Sequence, residues 1–142
     1  MNMNQYAPPA YNGLAGDPPP GFVDVDFSYV YTVSLQANQF LRDQSLNVQT
    51  DADFLWRALM VTSNTGAFNV RFSDSQGYYL SNSQLNFLNF FLGAQAIPWP
   101  VFPQLVIPAG GRVGIDIQDL SAAPNTVELT FRGAKRYRMP NG

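Results

Sequence analysis

The chain of 142 residues contains neither cysteine nor histidine, and Glu128 is its one glutamate. Without cysteine there are no disulfides, no thiolate zinc sites and no cysteine nucleophile. Without histidine the commonest general base and the commonest metal ligand are missing. A glycoside hydrolase would need a pair of carboxylates, but Glu128 alternates outward in its segment. We therefore expect a non-enzymatic protein with no catalytic residue, metal or cofactor.

Charge is also scarce. Charged residues make up 13% of the chain, about half of the ~25% usual in globular domains. The net charge is −2 and there is no basic stripe, so we expect no nucleic-acid partner. The one cationic cluster (Arg132, Lys135, Arg136 and Arg138) is interpreted as solvated or salt-bridged strand ends, or alternatively as a contact for an acidic partner. No apolar run reaches the roughly 18 residues that a membrane span needs, so we expect no membrane partner.

Residues 1–21 are predicted to form an extended arm ahead of a single domain that covers residues 22–142. Prolines at 8, 9, 18, 19 and 20 prevent ladder bonding and keep the chain extended. Tyr6, Tyr11 and Leu14 are apolar anchors that such a chain can present to a groove. We therefore predict that these three residues bind a partner.

The rest of the chain shows the two-residue periodicity of half-buried strands. In the segment from Phe22 to Val33 the odd-numbered positions are mostly apolar, which would leave Asp24 and Asp26 on a solvated outer face. The segment from Asp53 to Thr62 is almost continuously apolar. Turn signals bound it, so we predict a strand buried on both faces, although its composition alone permits a helix. The link from Ser63 to Gly66 is predicted to join it to the next strand as a hairpin.

The stretch from Pro108 to Gly111 raises the question of a phosphate loop with a catalytic Asp116 behind it. Such a loop needs its glycines to lead into a helix N-terminus. Here the chain instead continues with the strand alternation of Val113, Ile115 and Ile117. Proline and glycine supply turn angles, so we predict a turn between two strands and an Asp116 that faces outward. Gly133 is predicted to bend the last strand.

The segment from Leu85 to Pro103 is the most apolar part of the chain. Its prolines at 98, 100 and 103 disfavour ladder bonding, so we predict a long, proline-stiffened connection. It either closes one end of the core or exposes an apolar surface, which would mark an interface. We predict self-association through the residues from Leu85 to Phe102, with Phe90, Phe91 and Trp99 as contact residues.

About eight strands with frequent turns and no convincing helix predict an all-β fold. The expected architecture is an antiparallel β-sandwich, and specifically a jelly roll, with the extended N-terminal arm attached.

Three segments, RFSDSQGYYLSN, PVFPQLVIPAGGRVGIDIQDLS and VELTFRGAKRYR, resemble small virion proteins of tailed bacteriophages. More narrowly, they resemble the jelly-roll cement (decoration) proteins of the outer capsid surface. The similarity covers roughly Asp51 to Arg138 and lies in the order of the motifs. It implies a structural virion protein made in the bacterial host cytoplasm, with the major capsid protein as partner and a homodimer or homotrimer as its state. The family has no catalytic motif to transfer.

Other functions stay open on the sequence. A lectin-like jelly roll would bind carbohydrate by stacking sugars on Trp56, Trp99 or the tyrosines. Against this, Trp56 lies in a run that is predicted to be buried, and Trp99 lies between two prolines. A head-tail connector or a fibre base is a further phage structural part with which the sequence is compatible.

Overall fold

The structure is a computed structural model that describes residues 18–64 and 66–140. These residues form strands and one short 3-10 helix, which confirms the predicted all-β fold. The strands are β1 (Phe22–Leu35), β2 (Phe40–Asn47), β3 (Asp53–Ser63), β4 (Phe68–Ser73), β5 (Leu85–Asn86), β6 (Phe91–Leu92), β7 (Gln95–Ala96), β8 (Trp99–Ile107), β9 (Arg112–Asp119) and β10 (Asn125–Arg138). The 3-10 helix (Phe87–Phe90) lies between β5 and β6.

Two four-stranded antiparallel sheets face each other. One has the order β1-β10-β3-β8 and the other has the order β2-β9-β4-β5, while β6 and β7 form a small separate ribbon. The pairing is nested: β1 pairs with β10, β2 with β9, β3 with β8 and β4 with β5. A nested hairpin whose successive strand pairs alternate between two sheets is a jelly roll. The predicted antiparallel sandwich is therefore present, with the strand order of a jelly roll.

The core lies between the two sheets and follows the two-residue period of the strands. In β9, for example, Val113, Ile115 and Ile117 are all buried. The rings of Trp56, Phe72 and Phe131 meet at its centre, with centroids 4.9 to 5.8 Å apart. Burial of each of these aromatic side chains stabilises the fold by roughly 2–3 kcal/mol. Each edge-to-face contact between two rings adds about 1 kcal/mol.

The link from Ser63 to Gly66 is not the predicted hairpin. Strand β3 already pairs with β10 on one side and β8 on the other, and β4 belongs to the opposite sheet. The link therefore crosses from one sheet to the other. The Gly66 amide donates a hydrogen bond of 3.1 Å to the Ser63 hydroxyl, which keeps the crossing short.

The proline-rich half of the apolar segment is also not the predicted connection, because strand β8 begins at Trp99 and contains Pro100 and Pro103. Strand β8 lies at the edge of its sheet, and an edge strand tolerates proline because one side of its backbone has no ladder to complete. The pairing of β8 with β3 also shifts register between Trp56 and Ala58.

Two glycine predictions are confirmed. The Gly111 amide donates to the Pro108 carbonyl at 2.8 Å and Gly110 has φ 77°, so this stretch is a turn between β8 and β9. Strand β10 changes its register against β3 between Arg132 and Gly133. A Cβ at Gly133 would collide with the Leu55 carbonyl oxygen, so the close approach of these two strands requires glycine.

Candidate interaction surface

The predicted contact residues have different environments. Tyr6, Tyr11 and Leu14 lie outside the described residues, so their role stays a prediction. Phe90 has no exposed surface, and its ring packs edge-on against Trp99 with the centroids 5.1 Å apart. Phe90 therefore belongs to the core, and the structure corrects its assignment to a contact surface.

Phe91 and Trp99 are half-buried at the boundary of the core. The Phe91 ring contacts Phe87 with the centroids 5.8 Å apart, and Trp99 contacts Phe90. Both side chains support neighbouring aromatic residues and keep some surface free for a partner.

Three other side chains of this region are far more exposed, and sequence reasoning missed them. Leu88 is 62%, Leu92 72% and Phe102 74% exposed. The 3-10 helix explains the exposure of Leu88. Because this helix has three residues per turn, Phe87 and Phe90 lie on its core side and Leu88 lies on its outer side. We call Leu88, Leu92 and Phe102 the exposed apolar residues.

A cleft of about 350 Å³ lies beside β8, at the edge of the sandwich. Its deep side includes Trp56 and Phe72, which are almost fully buried, and its more exposed lining includes Leu80 and Phe102. Both tryptophans of the chain, Trp56 and Trp99, line it. The Trp56 indole N–H donates to the Ala58 carbonyl at 2.9 Å, so it is already satisfied. The cleft therefore suits an apolar occupant better than a polar one.

A polar strip crosses the outer face of the sheet that contains β1. Asp24 accepts hydrogen bonds from Arg136 at 2.7 and 2.8 Å and from Arg57 at 3.2 Å. Arg57 also donates to Gln104 at 2.7 Å, so the strip joins all four strands. Burial alone would raise the pKa of Asp24, but the bonds and charges of Arg136 and Arg57 outweigh it, and the pKa lies below its ordinary 3.8. The prediction that Asp24 is solvated is therefore wrong.

Asp116 holds neighbouring parts of the fold in place through hydrogen bonds to its carboxylate. As predicted, it lies in a strand, β9, on the face opposite to the core residues, but it is buried rather than open. Its carboxylate accepts a hydrogen bond from the Asp43 amide at 2.8 Å and another from the Tyr79 hydroxyl at 3.0 Å. Asp43 lies in the irregular part of β2, with φ 57°. Asp116 thus fixes this backbone conformation.

A second ionic cluster surrounds Asp51, just before β3. Lys135 donates to the Asp51 carboxylate at 3.0 Å and Tyr137 donates to it at 2.7 Å. The Lys135 ammonium also lies 4.0 Å from the centre of the Phe27 ring. Burial alone would lower the pKa of Lys135, but its bond to Asp51 and the charge of Asp51 raise it above the ordinary 10.5. Lys135 is thus paired with Asp51 within the fold. This agrees with the interpretation of the cationic cluster as salt-bridged strand ends.

Within residues 18–64 and 66–140, no group of three or more acidic side chains is arranged to hold a metal ion. In the same residues no helix is long and apolar enough to cross a membrane.

The fold defines a β-sandwich with jelly-roll strand order, and comparisons with known proteins give distant structural neighbours. No family model matches the chain, and no curated protein matches its sequence. The chain is similar to the VP2 subviral particle of infectious bursal disease virus, with 11% identity, 88% of this chain covered and a TM-score of 0.32. It is also similar to the Gt strain structure of this virus, with 11% identity, 82% covered and a TM-score of 0.27. The match spans 39% and 38% of the neighbours' own chains.

Proposed function

We propose that this chain is a non-enzymatic structural protein of a virus particle, which binds and stabilises the capsid as a cement (decoration) protein. In this proposal it is a component of a tailed bacteriophage and lies on the outer capsid surface. It contacts the major capsid protein and associates with itself as a homodimer or homotrimer.

The observation that carries this proposal is the exposure of Leu88, Leu92 and Phe102 on a sandwich with a closed core. Large apolar side chains in water are unfavourable, by about 25 cal/mol for each Å² of apolar surface. Contiguous apolar surface on a soluble protein marks an interaction site, and all three residues come from the segment between Leu85 and Pro103. A repeating capsid surface also offers many copies of one contact, so several weak contacts in one oligomer become stable together.

The low charge of the chain supports the same proposal. Interfaces are depleted in charged residues at their centre, and only 13% of this chain is charged. In addition, Asp24, Arg136 and Lys135 are already paired within the fold. The remaining surface is rich in amides and hydroxyls, which tolerate burial against a neighbour when they find hydrogen-bond partners.

The lectin alternative has less support. Trp56 is 1% exposed, so it cannot stack on a sugar at the surface. Trp99 is half-buried against Phe90 and lines a cleft whose other residues are mainly apolar. Carbohydrate recognition needs several convergent polar groups around an aromatic face, and this cleft does not provide them.

The test begins with the genes that flank the coding sequence of this chain. Where one of them encodes a major capsid protein, empty shells are assembled from that protein and their co-sedimentation with this chain is measured. We expect saturable binding with a fixed number of copies per shell. A folded protein that stays in the supernatant at all concentrations would overturn the proposal.

The surface is tested with Leu88→Asp and Leu92→Asp, which place a charge where an apolar contact would be desolvated. The matched control is Ala122→Asp, which adds the same charge at an exposed loop position far along the chain. We expect the first two variants to bind shells at least tenfold more weakly and the control to bind like the parent. If all three variants bind shells equally well, Leu88 and Leu92 do not contribute to the interface.

A further inference from the structure

We propose that the outer edge of β1 pairs with β1 of a second copy of this chain, antiparallel and across a two-fold axis, so that the two molecules share one continuous sheet. The inference rests on the self-association in the proposed function, for which it names a surface, but not on the virion role. It leaves the exposed apolar residues free for the shell. It follows from the hydrogen-bonding pattern of β1, from the contrast with the other sheet edges and from the side chains that the pairing brings together.

Strand β1 lies at one edge of its sheet and carries a row of unused backbone groups. In the order β1-β10-β3-β8, its neighbour among the described residues is β10 alone. The Met139 amide donates to the Gly21 carbonyl at 2.9 Å, in the register of the β1–β10 pairs. Hydrogen-bonded and non-hydrogen-bonded pairs alternate in an antiparallel ladder. The odd-numbered residues of β1 therefore bond to β10, and the even-numbered residues from Asp24 to Ser34 direct their N–H and C=O groups away from it.

The other edges of the two sheets are interrupted, whereas β1 is regular. Strand β8 contains Pro100 and Pro103, β2 loses its regular pairing near Asp43, which has φ 57°, and β5 has two residues. Prolines, bulges and short strands keep sheet edges from pairing with other chains. Strand β1 instead has 14 residues in unbroken register with β10 and contains no proline, lysine or arginine. Such an edge is suited to accept another strand.

The side chains of β1 make it complementary to a second copy of itself. A register that places Val30 opposite Val30 of the second copy also places Ser28 opposite Thr32 and Asp26 opposite Ser34. Val30 is 53% exposed, so the two valines cover apolar surface. Pairs of β-branched residues and pairs of hydroxyl groups are favourable across strands, and like charges directly opposite are unfavourable. In this register no carboxylate faces another, and the Ser34 hydroxyl can donate to Asp26.

The pairing provides enough contacts for a specific interface. The residue pairs between Asp26 and Ser34 would exchange about ten backbone hydrogen bonds, at two for each hydrogen-bonded pair, and this is the number found in a typical protein interface. Strand β1 already has its extended conformation in the single molecule, so little conformational freedom is lost on association. A contact across a two-fold axis uses the same patch on both copies and closes on itself. The inference therefore specifies a dimer and not a trimer.

The first experiment uses the absence of cysteine from the chain, which lets one introduced cysteine report on its own neighbours. Val30→Cys in the full-length chain should form a disulfide-linked dimer on mild oxidation with copper phenanthroline. Opposite residues of a hydrogen-bonded pair have Cα atoms about 5.5 Å apart, which a disulfide can span. Val106→Cys is the matched control, because Val106 is 37% exposed on the opposite edge strand of the same sheet. We expect about tenfold more linked dimer from Val30→Cys, since only this position has a fixed partner.

The second experiment uses charge. Val30→Lys places two like charges opposite each other, so the dimer dissociation constant measured by sedimentation should rise about tenfold or more. Val106→Lys should sediment like the parent. Val30→Asp alone should also weaken the dimer, whereas an equimolar mixture of Val30→Lys and Val30→Asp should restore it, because the opposed charges then attract. This recovery separates a lost interface from a lost fold.

Three results would overturn the inference. The first is a parent chain that sediments as a monomer at every concentration. The second is a dimer that persists in Val30→Lys and dissociates in Leu88→Asp, which would assign self-association to the exposed apolar residues. The third is equal cross-linking of Val30→Cys and Val106→Cys, which would indicate random collisions. None of these measurements includes capsid shells, so their failure is distinct from a failure of the proposed shell binding.

Discussion

Asp24 and Arg136 face each other across β1 and β10, and two hydrogen bonds of 2.7 and 2.8 Å join the carboxylate to the guanidinium group. Their side chains are 11% and 8% exposed, so this pair is largely shielded from water. The two residues are 112 positions apart in the sequence. The pair therefore connects the beginning of the first strand to the end of the last one.

Asp24→Asn should destabilise the protein, because it leaves the Arg136 and Arg57 charges without their carboxylate. Loss of one partner of a fully buried pair costs about 3–5 kcal/mol. The remaining exposure of Asp24 lowers our expectation to about 2–3 kcal/mol. The measurement is the free energy of unfolding in urea at neutral pH. Asp26→Asn, at an exposed position on the same strand, is the control and should change it by less than about 0.5 kcal/mol. Equal effects of the two variants would contradict the importance of the pair.

The stability of the protein should fall in acid. Asp24 and Asp51 have pKa values below the ordinary 3.8 through their cationic and hydroxyl partners. The pKa of Asp119 is lowered too, because hydrogen bonds from Ser121 and Asn38 outweigh its burial. A carboxyl group with a lowered pKa contributes stability above its unfolded pKa and loses it as the pH falls through the folded value. Urea midpoints should thus decline below about pH 4, and the decline should be shallower in Asp24→Asn. A parallel decline in both proteins would mean that Asp24 is not one of the groups responsible.

Gly133→Ala should be strongly destabilising, because the new methyl group would meet the Leu55 carbonyl oxygen in an adjacent strand. Backbone atoms cannot give way as a flexible side chain can, so we expect a loss of about 3 kcal/mol. Gly77→Ala is the comparison. Its φ of 89° is unfavourable for alanine, but no atom lies within 4 Å of the added carbon, so the loss should be about 1 kcal/mol. Thermal melting of both variants tests the order, and a smaller effect at Gly133 would contradict the close strand approach.

Phe90→Ala should cost about 3–5 kcal/mol of stability, as is typical when a buried aromatic side chain is removed. Leu88→Ala, two residues earlier on the exposed side of the same 3-10 helix, should change stability by less than about 0.5 kcal/mol. The free energy of unfolding measures the first effect and sedimentation measures any change in self-association. A stable Phe90→Ala protein with a weakened oligomer would restore Phe90 as a contact residue.

The sequence by itself determined most of the long strands, although not the proline-containing first half of β8, and it determined which face of most of them is buried. The alternation of Val113, Ile115 and Ile117 suffices for this, because successive side chains of a strand point to opposite faces. It also determined the turn at Pro108–Gly111 and the bend at Gly133, since proline and glycine restrict the backbone locally. These features depend on neighbouring residues only, and local patterns are sufficient to predict them.

Only the tertiary structure decided the features that depend on distant partners. Periodicity does not say which strand pairs with which, so the link after β3 looked like a hairpin although β10 and β8 occupy both sides of that strand. Asp24 looked solvated because Arg136 and Arg57 are far away in the sequence. Phe90 and Leu88 are both large apolar residues, and only the direction of one short 3-10 turn places the first in the core and the second in water. The cleft likewise exists because β8 and the segment before β5 meet at one edge of the sandwich. Such positions result from the summed free energy of many long-range contacts, which no short stretch of sequence contains.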